Sequence, residues 1–173
     1  MLSHEHIEAA GRMVEAEYLS AVKKKYLEMY GSLSNLRFKE TEEEEARKAV
    51  EGLQPWSDPS DPDPDFANDL HATVADQLKL EDYAELEFYT AVGSHLDVKF
   101  GIDAFFKFKA GDKEIVVSLD LTTKDYKSNP KADIMIYVPK EYIVSRTENP
   151  KEYADIIKEA AEKISKKIKN YFN

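Results

Sequence analysis

The stretch His95–Lys124, HLDVKFGIDAFFKFKAGDKEIVVSLDLTTK, decides how this chain is read. Ile102, Ala104, Phe106 and Phe108 alternate with Asp103, Phe105, Lys107 and Lys109, the period of two that a strand imposes on its side chains. Gly111-Asp112 is a turn signal, and Glu114–Thr122 follows as a second extended run, so the two should pair as a hairpin. Each strand carries an aspartate inside an apolar run, Asp103 on the first and Asp120 on the second. A carboxylate buried in a strand is costly unless it is paired or binds a cation. By the same alternation Asp120, Thr122 and Lys124 share one face, and Leu119, Leu121 and Thr123 the other. Oxygen ligands of this kind suit Mg²⁺ or Mn²⁺, and a lysine beside them suits metal-assisted phosphodiester hydrolysis. The same spacing also allows a plain salt bridge between Lys124 and either aspartate. If one cation is shared, both carboxylates must lie on the same face and approach within roughly 3–5 Å.

Outward from this hairpin, Leu86, Phe88 and Thr90 alternate with Glu85, Glu87 and Tyr89 as an earlier strand, and Ile134–Val138 supplies a fourth. Upstream the period changes to about 3.6. Residues 3–30 read as one long amphipathic helix, with Ile7, Ala10, Val14, Tyr18, Val22, Tyr26 and Met29 on its apolar side and Ser3 as its cap. A second helix starts at Thr41, which forms a capping box with Glu44 and buries Ala46, Ala49, Val50 and Leu53. Gln54–Asp65 holds four prolines and is therefore a loop, with Trp56 to tack it down. Its aspartates lack the glycine and the twelfth-position glutamate of a calcium loop. A third helix spans Asp65–Leu80, and residues 150–172 form a C-terminal helix. Helices, a run of strands and a closing helix make an α/β fold of the mixed α+β kind. We divide it into an N-terminal helical region with an acidic, proline-rich linker (1–65) and an α/β core with the last helix (66–173).

The segment HLDVKFGIDAFFKF, a turn, and VVSLDLTTK together resemble the PD-(D/E)XK nuclease-like superfamily. Gly101-Ile102-Asp103 matches the motif in which a small residue and an aliphatic precede a strand aspartate. Asp120 falls where the family has its second acidic residue, and Asp97 resembles the extra acidic residue many members place ahead of the motif. The family's lysine corresponds to Thr122, and here the nearest lysine is Lys124, on the same face. The family also runs a helix between its third and fourth strands, whereas here Thr123–Ala132 carries the turn signal Ser128-Asn129-Pro130. The resemblance covers about a third of the chain, Tyr83–Val138. It implies a restriction-endonuclease-like core of about four strands flanked by helices. It also implies an Mg²⁺- or Mn²⁺-dependent nuclease, or a DNA-processing enzyme, that hydrolyses phosphodiester bonds. In that reading Asp103 and Asp120 hold the metal, Asp97 assists, Lys124 positions water or offsets charge, and the partner is nucleic acid, with DNA expected.

The chain of 173 residues carries a net charge of −10 and no cysteine, which excludes disulfides, thiolate zinc sites and a cysteine nucleophile. That composition, with no signal peptide and no membrane-spanning run, leads us to expect a cytoplasmic protein with no membrane partner. Glu40–Glu87 holds 16 acidic and 3 basic residues, or −13, leaving the rest at +3. A solvated face explains such a run, as does an acidic mimic of nucleic acid. The run and the displaced lysine both support an alternative: the same fold as a catalytically silent protein-interaction or assembly module, or as an inhibitor. We expect Thr41–Leu53 to pack on the N-terminal helix, away from the site, leaving Lys99, Lys107, Lys109 and Lys127 for phosphates. Among the histidines, His4 and His6 face different ways, His71 reads as a surface residue, and His95 alone lies near the candidate site, on a loop. Phosphate-loop, dinucleotide, GxSxG and HExxH signatures are absent. The Lys163–Lys169 cluster complements the C-terminal end of its helix.

Overall fold

The computed structural model describes residues 14–30, 42–123 and 130–173. Its helices are α1 (Lys23–Tyr30), α2 (Glu43–Glu51), α3 (Asp65–Leu78), α4 (His95–Phe100) and α5 (Pro150–Phe172), and residues 14–19 are also helical. The strands are β1 (Leu86–Thr90), β2 (Ala104–Ala110), β3 (Lys113–Thr122) and β4 (Ile134–Tyr137), in sheet order β1-β2-β3-β4. The first three are antiparallel neighbours, and β4 runs parallel to β3. This is a mixed α/β architecture: one four-stranded mixed sheet flanked by helices, with helical segments ahead of it.

The period-two pattern sorts side chains onto two faces. Phe88, Ala104, Phe106, Phe108, Val117, Leu119 and Ile136 enter one core, closed by Phe66, Leu70 and Val74 of α3 and by Ile157, Ile164 and Ile168 of α5. Tyr89 and Phe105 enter a second core on the opposite face, with Val22 and Tyr26 of α1, Ala46 and Val50 of α2, and Leu96 and Phe100 of α4. The sheet is therefore buried on both sides.

The single helix expected over residues 3–30 is broken. Residues 14–19 are helical, Ser20 takes a left-handed φ of 61°, and α1 begins at Lys23. The break has a packing cause, because Tyr18 and Leu19 belong to the first core whereas Val22 and Tyr26 belong to the second. A straight helix cannot turn one stripe toward both faces of a sheet. The freed backbone is satisfied by tertiary partners: Thr90 Oγ1 donates to the Ser20 carbonyl at 3.1 Å, and the Val22 amide donates to Val92 at 3.0 Å. Ser3 and residues 3–13 of that expected helix lie outside the described residues, as does the Thr41 cap of the second helix, whose N-cap position is Glu42. Met29, expected in the apolar stripe, is exposed.

The proline-rich segment is a loop with a job in the sheet. The Phe88 amide donates to Pro59 O at 2.7 Å, and the Gln54 side chain bonds both the amide and the carbonyl of Thr90. Those bonds occupy the outer edge of β1, which would otherwise invite pairing with another chain. Trp56 stacks on Phe88 to hold the loop down.

His71 is not a surface residue. It is 2% exposed, its Nε2 lies 2.6 Å from the Leu86 carbonyl oxygen, and its ring stacks near Phe106. A histidine on the flank of an apolar helix stripe is drawn inward when a strand carbonyl stands ready to pair with it. Among the described residues, no helix is long and apolar enough to cross a membrane.

Candidate metal centre

Asp103 precedes β2, and its amide donates to Leu119 O at 2.9 Å. The register ends at Ala104 and Leu119, so Asp103 and Ala104 both stand against Leu119, as at a β-bulge. Alternation along β3 puts Asp120 on the side of Ser118, which is the partner of Phe105. Asp120 thus lies on the face of the second core, and its charge acts on the Asp103 carboxyl. Asp103 and Asp120 are both buried, at 2% and 4% exposure.

The backbone holds Asp103 in place, since the Leu121 amide donates to Asp103 Oδ2 at 2.7 Å. Asp97 arrives from α4, whose start is written locally. Ser94 is the N-cap and accepts from the Asp97 amide at 3.4 Å, while Asp97 Oδ2 accepts from the Gly93 amide at 2.7 Å. His95, expected on a loop, is therefore the first residue of a helix, and it is buried against Phe100. Gly101 ends α4 at φ 64° and sends the chain back into the sheet, a conformation that a β-carbon makes costly. Gly93 is required for space, since a β-carbon there would sit 2.4 Å from Lys23 Cβ.

A fourth carboxylate comes from the helical segment at residues 14–19. One ligand oxygen each from Glu15, Asp97 and Asp103 lies within 4.8 Å of the others. Sequence reading had missed Glu15, because one glutamate among 34 acidic residues on an amphipathic helix carries no mark of its own. Its only sequence cue is its place beside Tyr18 and Leu19, and the site of their burial is a tertiary fact.

The electrostatics follow from this crowding. Burial pushes the Asp103 carboxyl well above the ordinary 3.8, and the charges of Glu15, Asp97 and Asp120 push it further, while the Leu121 amide pulls the other way. A divalent cation would reverse that balance by offsetting the like charges. Burial also lowers the His95 imidazole, with Lys99 acting in the same sense and Glu42 opposing.

Lys124, the expected catalytic lysine, lies outside the described residues, as do Lys127, His4 and His6. The expectation for the acidic segment needs correcting. α2 does join Val22 and Tyr26, but its buried Ala46 and Val50 also pack with Tyr89, Leu96 and Phe105 on the face that carries Asp103 and Asp120. The apolar stripe chose the side, because an uncovered face of aromatic and aliphatic groups was there to be buried. Lys107 is consequently engaged, 3.1 Å from Glu51 and 3.9 Å from Glu87. Lys109 pairs with Glu114 at 3.4 Å, and Lys99 stands over the Phe100 ring.

No family model, curated protein or solved structure matches this chain.

Proposed function

We propose that the protein is a divalent-cation-dependent phosphodiester hydrolase acting on nucleic acid. The observation that carries this reading is the convergence of ligand oxygens of Glu15, Asp97 and Asp103 within 4.8 Å, with the charge of Asp120 acting on Asp103. The donor set fits the ion: carboxylate oxygens are hard ligands, which Mg²⁺ and Mn²⁺ prefer over nitrogen or sulfur. Glu15, Asp97, Asp103 and Asp120 would hold it. When bound, such an ion supplies Lewis acidity and lowers the pKa of water. The chain's own residues supply positioning: the Leu121 amide orients Asp103, and the Gly93 amide orients Asp97. Lys124 is proposed to offset charge on the phosphate.

Isothermal titration with Mg²⁺ and Mn²⁺ tests the reading, alongside cleavage of plasmid and oligonucleotide DNA. We expect one site that weakens at least tenfold in Asp103→Asn and in Asp97→Asn, and cleavage that EDTA abolishes. No heat at millimolar metal would sink the proposal. A second reading, a silent interaction module, is favoured by the ion pair of Lys107 with Glu51 of the acidic α2 on the same face. Metal binding with no cleavage of single- or double-stranded DNA or RNA would select it.

A further inference from the structure

Among the described residues four tyrosines are exposed, and three of them have partners. Tyr83 donates its hydroxyl to Asp76, Tyr142 donates to Glu152, and the ring of Tyr171 packs edge-on against Phe172. Tyr137 has neither a hydrogen bond nor a ring partner among the described residues, and it is 42% exposed. It is also set apart by its position. Ile134, Ile136 and Val138 turn into the first core, so Met135 and Tyr137 point to the other side. The parallel register pairs Met135 with Asp120 and Tyr137 with Thr122. One strand across and two residues along puts the Tyr137 Cα about 8 Å from that of Asp120. A strand holds the ring on a rigid base, and exposed lysines, Lys131 and Lys140, flank β4 in the chain.

We infer that Tyr137 is a stacking platform for an unpaired nucleobase next to the phosphate held at the carboxylate centre, which makes the preferred substrate single-stranded nucleic acid. The inference rests on the phosphodiesterase reading above. An exposed aromatic face beside a phosphate site is what sequence-tolerant single-strand binding uses, because every base has a π-face. In a duplex that face is covered by neighbouring bases, so the ring has nothing to stack on except at ends and loops.

The test uses the full chain in Mg²⁺ and a hydrolysis-resistant phosphorothioate 12-mer, single-stranded, fluorescein-labelled, with and without abasic sites. Fluorescence anisotropy reads the affinity. Tyr137→Ala should weaken binding of the base-containing strand by roughly 5- to 150-fold, the range for losing one stacked base. The abasic strand should bind wild type and Tyr137→Ala alike, and Tyr137→Phe and Tyr137→Trp should keep affinity within about threefold of wild type, since stacking needs only the ring. Equal binding of the base-containing strand by wild type and Tyr137→Ala overturns the inference. Equal loss on both strands overturns it too, since that pattern marks a structural role. Mg²⁺ calorimetry on Tyr137→Ala separates this from the parent reading: unchanged metal affinity with unchanged oligonucleotide affinity sinks only the platform, whereas no metal binding by wild type sinks the parent.

Discussion

The two faces of the sheet are built from the same four strands and follow opposite rules. The face toward α3 and α5 is an apolar core flanked by buried His71, whose imidazole burial pushes toward its neutral form against the pull of the Leu86 carbonyl. The face toward α1, α2 and α4 begins as an apolar core around Phe105 and Leu96 and ends in a knot of carboxylates. One face is optimised for burial. The other retains like charges close together, an arrangement that costs stability until a cation arrives.

The largest expected effect lies on the first face. Phe106 is fully buried, edge-on to Phe88 and stacked with His71, so Phe106→Ala should cost about 3–5 kcal/mol in a urea titration. A cost under 1 kcal/mol would mean that this core is not the source of stability. Next comes the carboxylate face. At a free Mg²⁺ concentration a hundred times its Kd, binding adds about 2.7 kcal/mol, which should raise the melting temperature of wild type by about 5–10 °C. Asp103→Asn should lose that shift and yet melt above wild type in EDTA near pH 8. If the variant melts lower in EDTA, the like-charge account of this face is wrong.

A smaller effect is expected where the faces are stitched together. Asp133 Oδ2 accepts from the Ser118 amide and hydroxyl, and its other oxygen lies 2.7 Å from Lys167 of α5. Burial pushes this carboxyl up, but Lys167 and Ser118 together outweigh burial and hold it below 3.8. A depressed folded pKa gives stability that is present above the unfolded value and lost as pH falls through the folded one. Asp133→Ala should therefore cost about 1–3 kcal/mol at pH 7 and progressively less below pH 4. A cost that stays constant down to pH 2 would remove the ionic part of this explanation.

The smallest effect is a contrast in slopes. Burial lowers the His71 imidazole below 6.5, opposed by the Leu86 carbonyl and by Asp61 and Asp58. Its folded state disfavours the proton, so stability is present above pH 6.5 and declines as pH falls below it. Asp103 has the opposite sign. Its raised pKa favours the proton in the folded state, so stability declines as pH rises above about 4 toward the elevated value. In EDTA, His71→Gln should flatten the stability profile between pH 5 and 6.5, and Asp103→Asn should flatten the decline on the alkaline side. If either variant only shifts the profile vertically, that residue is not the titrating group.

Much of the fold was legible in the residues. The strands Leu86–Thr90, Ala104–Ala110, Lys113–Thr122 and Ile134–Tyr137 match the expected runs to within two residues at each end, and Pro150–Phe172 follows its apolar stripe. These elements are read from local periodicity, which the fixed geometry of strand and helix imposes. The face of Asp120 was legible for the same reason, since period two along β3 sets it. Glu15 was not legible, nor was the turn at Ser20, because both depend on which face of the sheet the chain meets about seventy residues later at Thr90. The side taken by α2 was misread, since its stripe is equally apolar whichever surface it covers.

The sequence by itself therefore determined the strands and the hairpin pairing, since each follows from neighbours a few residues apart and from the fixed geometry of a strand. Only the tertiary structure decided that Glu15 joins Asp97 and Asp103, that the acidic α2 shares the face of Asp120, and that Tyr137 lies one strand across from Thr122. Those outcomes depend on how separate amphipathic elements divide two apolar surfaces, and a hydrophobic stripe is attracted by apolar area without regard to whose it is.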